Sequence, residues 1–233
     1  MLILAFETSA KAGSVAVMEN GILLAENYQN TGLTHSQTLL TMAQSALGSC
    51  GKQPRDVGAV AVAAGPGSFT GVRIGVAAAK GFAWGSQIPC YGVSTLEAMA
   101  LSLGLWQGVI CCVMDARRSQ VYNALFRAEG GKLTRLTEDR AISLEELKKE
   151  LKNLEESVFL VGDGSNLCYN TLQEECALVL PAEHRLHQRA SGVALAAQLC
   201  IDAGQEGNAE ALQPNYLRLS QAERERLARE EQK

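Results

Sequence analysis

The glycine-rich segment from Ala63 to Gly75 constrains the fold more than any other stretch of this chain. Its sequence is Ala-Ala-Gly-Pro-Gly-Ser-Phe-Thr-Gly-Val-Arg-Ile-Gly. An apolar run over residues 58–64 precedes it, which is typical of a strand buried on both faces. A run of apolar and small residues follows and predicts a helix over residues 69–84. Because glycine permits positive φ and proline fixes φ near about −65°, the segment predicts a sharp turn between the two.

This turn leaves two interpretations open. Ser68 or Thr70 can cap the helix, and a glycine-rich turn at a helix N-terminus favours bound anions because the first amides there are unpaired. However, the segment lacks the Gly-Lys-Ser/Thr of a nucleoside triphosphate loop, and its glycines miss the dinucleotide spacing by one residue. The turn either binds phosphate or serves only to bring the helix close to the strand.

Small residues occur on several faces of the predicted helix, at Gly71, Gly75, Ala78, Ala79 and Gly81. A glycine inside a helix costs about 1 kcal/mol relative to alanine. Close packing against neighbouring backbone must offset that cost, so the helix is expected to be buried among other elements.

Composition indicates a globular protein of one large or two small domains. The chain has 233 residues, of which 47% are hydrophobic and 20% charged, and this length can bury a substantial core. No apolar run approaches the roughly 18 residues of a membrane span, and the first residues do not resemble a secretory signal. The net charge of −4 argues against nucleic acid binding by this chain alone, since a polyanion needs a basic face.

The chain contains seven cysteines without a Cys-x-x-Cys pair, and most lie in apolar runs. We expect them to be reduced residues of a cytoplasmic protein.

The hydrophobic pattern predicts the same order of elements twice. In each half, three strands are followed by alternating helices and strands, and each first strand ends in a carboxylate, Glu7 or Asp115. The predicted strands and helices of the first half cover residues 2–8, 14–18, 22–28, 36–48, 58–64, 69–84, 88–93 and 96–103. Those of the second cover residues 108–115, 120–128, 132–137, 143–154, 158–162, 166–174, 177–180 and 192–203.

Five segments together resemble the TsaB (YeaZ) family, bacterial proteins of tRNA threonylcarbamoyladenosine biosynthesis. They are Gly65–Gly75, Ile3-Leu-Ala-Phe-Glu-Thr-Ser9, His35-Ser36, Asp115-Ala-Arg-Arg-Ser-Gln-Val-Tyr122 and Pro214-Asn-Tyr-Leu-Arg218. The resemblance spans nearly the whole chain. One departure is Glu7, where the family pattern implies Asp.

The resemblance implies a duplicated α/β fold of the actin-like (ASKHA) type, with mixed sheets flanked by helices. We therefore predict an N-terminal subdomain over residues 1–104, a C-terminal subdomain over residues 105–218 and a charged tail over residues 219–233. By analogy with actin-like kinases and ATPases, a vestigial nucleotide cleft is expected between the subdomains. Its predicted residues are Glu7, Thr8, Ser9, Asp115, Gly162, Asp163 and Gly164.

The residues for catalysis are largely missing. The related TsaD family carries a histidine pair for its metal, whereas His35 is the only histidine in the first half. No cysteine has an evident neighbour favouring thiolate, and no Gly-x-Ser-x-Gly elbow is present. We therefore predict no metal site and no cofactor of its own, with ATP and magnesium expected only in the assembled complex.

The resemblance implies a non-catalytic protein that binds and activates TsaD, which transfers a threonylcarbamoyl group to adenosine in tRNA. The family's other partner is the ATPase TsaE, and the resemblance implies that TsaC makes the adenylate; tRNA is expected to bind only through the complex. An independent actin-fold kinase of small molecules, using Glu7 and Asp115, is the alternative, and a protease has less support.

Two helices are predicted to form the partner surface, for TsaD or for a second copy of the chain when TsaD is absent. The predicted interface residues are Leu39, Leu40, Ala43, Leu47, Val72, Gly75, Val76, Ala79 and Ala83.

Overall fold

The computed structural model describes residues 1–104 and 107–218, which form two β-sheets with helices on both faces of each. The elements of the first half are β1 (Leu2–Glu7), β2 (Gly13–Glu19), β3 (Ile22–Gln29), α1 (His35–Ser49), β4 (Ala59–Gly65), α2 (Phe69–Ser86), β5 (Cys90–Ser94) and α3 (Thr95–Ser102). Those of the second half are β6 (Gly108–Asp115), β7 (Gln120–Glu129), β8 (Lys132–Arg135), β9 (Arg140–Ser143), α4 (Leu144–Lys152), β10 (Val158–Val161), α5 (Ser165–Leu172), β11 (Leu178–Val179) and α6 (Ala190–Asp202).

Strand order shows that the two halves are built alike. The first sheet runs β3-β2-β1-β4-β5, and the second runs β8-β7-β6-β10-β11, with β9 paired to β7. In each sheet the first two strands are antiparallel, and the first strand is parallel to the strand on its other side. The predicted duplicated actin-like fold is therefore confirmed.

Side-chain alternation along the central strands assigns each sheet two different helical layers. In β1, Leu2, Leu4 and Phe6 pack against α1 and α2, while Ile3 and Ala5 face α6. The α6 side of this sheet is rich in alanine, which lets that helix lie close to the strands.

In β6, the same alternation places Val109, Cys111 and Val113 against α4 and α5. Ile110 and Cys112 face α3.

The last helix of each half therefore covers the sheet of the other half. Helix α3 packs on β6 and β7, helix α6 packs on β1, β2 and β4, and the two helices contact each other between the sheets. The predicted division at residues 104 and 105 stays a prediction, and the packing shows that each half needs the other to cover its core. The predicted tail, residues 219–233, lies outside the described residues.

Glycine at position 192 permits the contact between these two helices. A Cβ atom there would overlap the carbonyl oxygen of Ala98 on α3. A similar approach occurs at the start of α2, where a Cβ on Gly71 would overlap the carbonyl oxygen of Thr8. The expected role of small residues in close backbone packing is thus confirmed at Gly71, whereas it is wrong at Gly81, which is exposed and would bring no Cβ within 4 Å of a neighbour.

Local signals predicted most element ends well. Ser68 caps α2 by accepting from the amide of Gly71, and Ser143 and Glu146 form the capping box of α4. The strand β9 was not predicted, because its four residues run directly into the cap of α4. Helix α2 extends to Ser86 and ends at Gln87, which adopts a left-handed conformation without being glycine.

The predicted partner surface needs correction. Eight of its nine residues are buried in the chain's own core, because they lie on the faces of α1 and α2 that cover β1 and β4: Leu39, Ala43, Leu47, Val72, Gly75, Val76, Ala79 and Ala83. Only Leu40 points outward, with 63% of its surface exposed. Apolar periodicity identified the face of each helix that packs on the core, and it did not identify the face that is exposed.

Among the described residues, no helix combines the length and the apolar character needed to cross a bilayer.

We predict that Gly192→Ala destabilises the protein by about 2 kcal/mol or more, because the added methyl group must push α3 and α6 apart. Urea unfolding of the purified chain measures this change. Gly48→Ala is the matched control, since a Cβ at this helical position meets no atom within 4 Å. The control should keep the parent stability or gain up to about 1 kcal/mol. Equal stability of the two variants would contradict a tight contact between α3 and α6.

Candidate functional site

A cleft with a volume of about 760 Å³ lies between turns that follow strands of the two sheets. Its walls come from the turn after β1, the turn between β4 and α2, and the turn between β6 and β7. These turns follow the carboxyl ends of the central strands, the usual position of ligand sites in sheets flanked by helices. The duplicated topology therefore brings the predicted site regions of both halves to one place.

The first three predicted cleft residues are buried. Glu7, Thr8 and Ser9 each have 0% of their surface exposed, although Ser9 lies on the cleft wall. The hydroxyl of Thr8 donates to the carbonyl oxygen of Gly71 at 2.8 Å, which ties the end of β1 to α2. The side chains of Glu7 and Thr8 are thus engaged inside the protein.

Only one of the two carboxyl oxygens of Glu7 has a hydrogen-bond partner in the described structure. Its Oε1 accepts from the amide of Ser9 at 2.6 Å, while Oε2 has no hydrogen-bond partner in the described structure. Burial raises the pKa of Glu7 from its ordinary 4.5 to about 7, and the nearby charge of Asp163 adds to the rise, against the hydrogen bond that the backbone amide of Ser9 donates. The longer side chain of glutamate at this position turns back onto its own strand end.

The turn at residues 162–164, which was predicted to belong to the nucleotide cleft, is closed by backbone contacts. The amide of Gly162 donates to the carbonyl oxygen of Leu186 at 2.7 Å, and that of Gly164 donates to Val113 at 3.2 Å. Both glycines are buried, whereas Asp163 reaches the cleft surface. These two amides are therefore already used within the protein.

Asp163 lies where water reaches the cleft, yet the protein atoms crowded around its carboxyl group raise its pKa. The side-chain amide of Gln188 donates from Nε2 to Asp163 Oδ1 at 3.0 Å and opposes this rise in pKa, while the charge of Asp115 adds to the rise. Asp115 is exposed and also lines the cleft. The structure thus brings together Ser9, Asp115 and Asp163 at the cleft.

Asp115 contacts the backbone of the turn that follows it, where its Oδ1 accepts from the amide of Arg117 at 2.6 Å. The side chains of Arg117 and Arg118 line the cleft instead, together with Lys11 on the opposite wall.

The segment over residues 214–218 connects the two halves across this cleft. The amide of Asn215 donates to the carbonyl oxygen of Ala64 at the end of β4, at 2.6 Å. The guanidinium of Arg218 donates to the carbonyl oxygen of Ala116 in the turn after β6, at 2.5 Å. The segment therefore holds a strand end of the first sheet beside a turn of the second.

Aromatic contacts fix the same segment onto the start of α2. The ring of Tyr216 stacks on that of Phe69, with centroids 4.6 Å apart and 14° between the planes. Arg73 donates from Nε to the hydroxyl oxygen of Tyr216 at 2.7 Å and lies 5.4 Å from its ring centroid. The motif Pro214–Arg218 signalled this region, but nothing in the motif indicates what it contacts.

No group of three or more His, Cys, Asp or Glu side chains within residues 1–104 and 107–218 is arranged to hold a metal ion. His35 instead makes a 2.8 Å contact from Nε2 to the carbonyl oxygen of Ala10. It therefore fixes the turn after β1 against the start of α1.

Comparison with known proteins places this geometry in a family. A family model described as TsaD, tRNA N6-adenosine threonylcarbamoyltransferase, matches residues 29–226. The tRNA threonylcarbamoyladenosine biosynthesis protein TsaB of Bacillus subtilis is 33% identical over 227 residues, covering 96% of each chain. The TsaB protein of Escherichia coli is 33% identical over 221 residues, covering 94% of this chain and 95% of its own. The solved structure of YeaZ from Pseudomonas aeruginosa has a TM-score of 0.76 at 25% identity, covering 93% of this chain and 99% of its own.

We predict that Glu7→Gln stabilises the protein at alkaline pH. Because the folded-state pKa is raised, the unfolded state releases its proton first as pH rises above about 4.5, so stability falls between about pH 4.5 and 7. The glutamine side chain of the variant stays neutral and avoids this loss, giving a gain of up to about 3 kcal/mol at pH 8. Urea unfolding at pH 5 and pH 8 measures the difference, which should largely close at pH 5.

The control for this experiment is Glu206→Gln, a change at an exposed carboxylate. In this control, the change in unfolding stability between pH 5 and pH 8 should equal that of the parent. A parent protein and a Glu7→Gln variant with the same pH dependence would show that Glu7 is not a buried, destabilising carboxylate.

Proposed function

The chain belongs to the TsaB (YeaZ) family of tRNA threonylcarbamoyladenosine biosynthesis proteins, and from that premise we propose that it is a non-catalytic partner of TsaD. In this role it binds TsaD and activates the transfer of a threonylcarbamoyl group to adenosine in tRNA. TsaE joins the complex, TsaC supplies the adenylate, and tRNA binds only through the assembly. We further propose a cytoplasmic location, which the free cysteines support.

The outward face of α1 and α2 is the observation that carries this proposal. Trp84 has 71% of its surface exposed and Leu40 has 63%. The adjoining outward positions of α2 are small, at Ala77 and Gly81, and both are exposed. Large apolar side chains beside small ones suit a close helix-to-helix interface, where a tryptophan commonly contributes much of the binding energy.

Similarity to TsaD supports that protein as the partner. The family model for TsaD matches residues 29–226, which include both α1 and α2. A partner with a related fold presents two equivalent helices, so the pairing resembles a symmetric dimer of like subunits. When TsaD is absent, the same face is expected to pair with a second copy of this chain, because exposed apolar surface favours burial.

The interior of the cleft supports a non-catalytic role over the kinase alternative. A kinase needs Glu7 as a metal-binding carboxylate, but Glu7 is buried with its Oε1 held by Ser9. It also needs amides free for phosphate in the turn at residues 162–164, where Gly162 and Gly164 donate to carbonyl oxygens of the chain. We propose that ATP and magnesium bind only in the assembled complex.

A protease has less support still. Burial raises the pKa of Cys90 to about 11 and that of Cys168 to about 12, so neither thiol ionises near neutral pH. Ser9 Oγ has no hydrogen-bond partner in the described structure, so it forms no hydrogen bond to a base there.

We predict that Trp84→Ala weakens binding to TsaD by about thirtyfold, since truncating an interface tryptophan can cost about 2 kcal/mol or more. Isothermal titration calorimetry with purified TsaD measures this change. The unfolding midpoint of the variant should match the parent, because the side chain is largely exposed.

Leu199→Ala on α6 is the matched control, since Leu199 is also an apolar helix residue with 53% of its surface exposed. It should bind TsaD as the parent does. If TsaD binds the parent and Trp84→Ala equally, or fails to bind the parent, the proposed partner surface is wrong.

A further inference from the structure

The charge of the cleft is opposite to that of the chain. The lining side chains carry four positive and two negative charges: Lys11, Arg117, Arg118 and Arg218 against Asp115 and Asp163. This excess of positive charge occurs in a protein with a net charge of −4. The cleft therefore concentrates positive charge in a protein whose net charge is negative, and this local field favours anions.

Three of these basic side chains are free to bind. Lys11, Arg117 and Arg118 are exposed, and none forms an ion pair with another side chain in the described part of the chain. Lys11 comes from the first half and the two arginines from the second, so they face the cleft from opposite walls. An anion between them would compensate charges that the protein itself leaves uncompensated.

The turn that carries the arginines is held in an unfavourable backbone conformation. Arg117, Arg118 and Ser119 have φ values of 63°, 57° and 56°, in a region that costs L-residues roughly 1–2 kcal/mol each. The amide of Gln120 donates to the carbonyl oxygen of Arg117 at 3.2 Å, and that of Leu144 donates to Ser119 at 3.1 Å. Surrounding structure thus enforces the turn, which is the pattern found at binding sites.

The start of α2 adds uncharged donors to the same wall. The amides of Phe69 and Thr70 lie in its first turn and have no acceptor within the helix, and both residues line the cleft. Ser9 beside them has a buried hydroxyl group without a hydrogen-bond partner in the described structure. Helix amides, a hydroxyl group and guanidinium groups are the donors that phosphate oxygens accept from.

We propose that this cleft binds a small phosphomonoester, without a metal ion, through Lys11, Arg117 and Arg118 and the first turn of α2. A doubly charged phosphate matches the excess of two positive charges. The carboxylates of Asp115 and Asp163 then accept hydrogen bonds from hydroxyl groups on the rest of the ligand. The volume of about 760 Å³ lies within the range of small-molecule sites, roughly 300–1,000 Å³. This site is independent of the proposed binding of TsaD.

Calorimetry with the full-length chain in EDTA tests the proposal, with inorganic phosphate, ribose 5-phosphate, AMP and acetate as probes at equal ionic strength. We expect phosphate and at least one phosphomonoester to bind, and acetate to bind at least about tenfold more weakly. The double variant Arg117→Asn/Arg118→Asn should lose at least about tenfold in affinity. Asparagine suits this variant because it tolerates the left-handed conformation. Lys11→Gln should weaken the same probes without touching that turn.

The matched control is Arg55→Asn, because Arg55 is exposed and lies before β4, at the opposite edge of the sheet from the cleft. It should bind as the parent does, and all variants should keep the parent's unfolding midpoint. The proposal is overturned if no phosphate probe binds, if acetate binds as well as phosphate, or if Arg55→Asn loses as much affinity as the cleft variants. If the small phosphates bind only when magnesium replaces EDTA, the proposal is overturned as well. It is also overturned if the chain binds tRNA through the basic cleft but binds none of the small phosphates.

Discussion

Helices α3 and α6 lie against each other between the two sheets, and each covers the sheet built by the other half of the chain. The contact depends on Gly192, where any side chain would overlap the backbone of Ala98. Since neither half can bury its sheet without the other's helix, the two halves form one cooperative unit. The geometry of the cleft follows from this arrangement, because the paired helices set the distance between the two sets of strand ends.

This arrangement also explains how an acidic protein presents a basic cleft. The turns after β1 and β6 occupy equivalent positions in the duplicated topology, so Lys11 and the arginines at positions 117 and 118 face each other across the gap. Meanwhile Glu7, the equivalent of Asp115, is buried inside the protein. The two carboxylates with which a kinase of this fold would hold magnesium therefore lie in different environments. The face of α1 and α2 that we propose for the partner lies on a separate surface of the first half.

Sequence patterns predicted the fold well because they reflect local preferences of residues for strands, helices and helix caps. Alternating apolar residues identified β1 and β6, and serine caps located α2 and α4. For the partner surface the same patterns selected residues that the structure buries, since periodicity marks the face of a helix that the core covers and not the face left exposed. Trp84 carries no periodic signal of its own. The cleft was predicted in part: Asp115 and Asp163 line it, whereas the contacts of Tyr216 and Arg218 join residues more than 100 positions apart, which no local pattern records.

The central claim is that this chain supports catalysis by TsaD and performs none itself. A threonylcarbamoylation assay reconstituted from TsaC, TsaD, TsaE, ATP and tRNA, with and without this chain, tests it most directly. We predict that modified tRNA accumulates only when both TsaD and this chain are present, and that the chain without TsaD forms none. Equal accumulation without the chain, or accumulation without TsaD, would contradict the account.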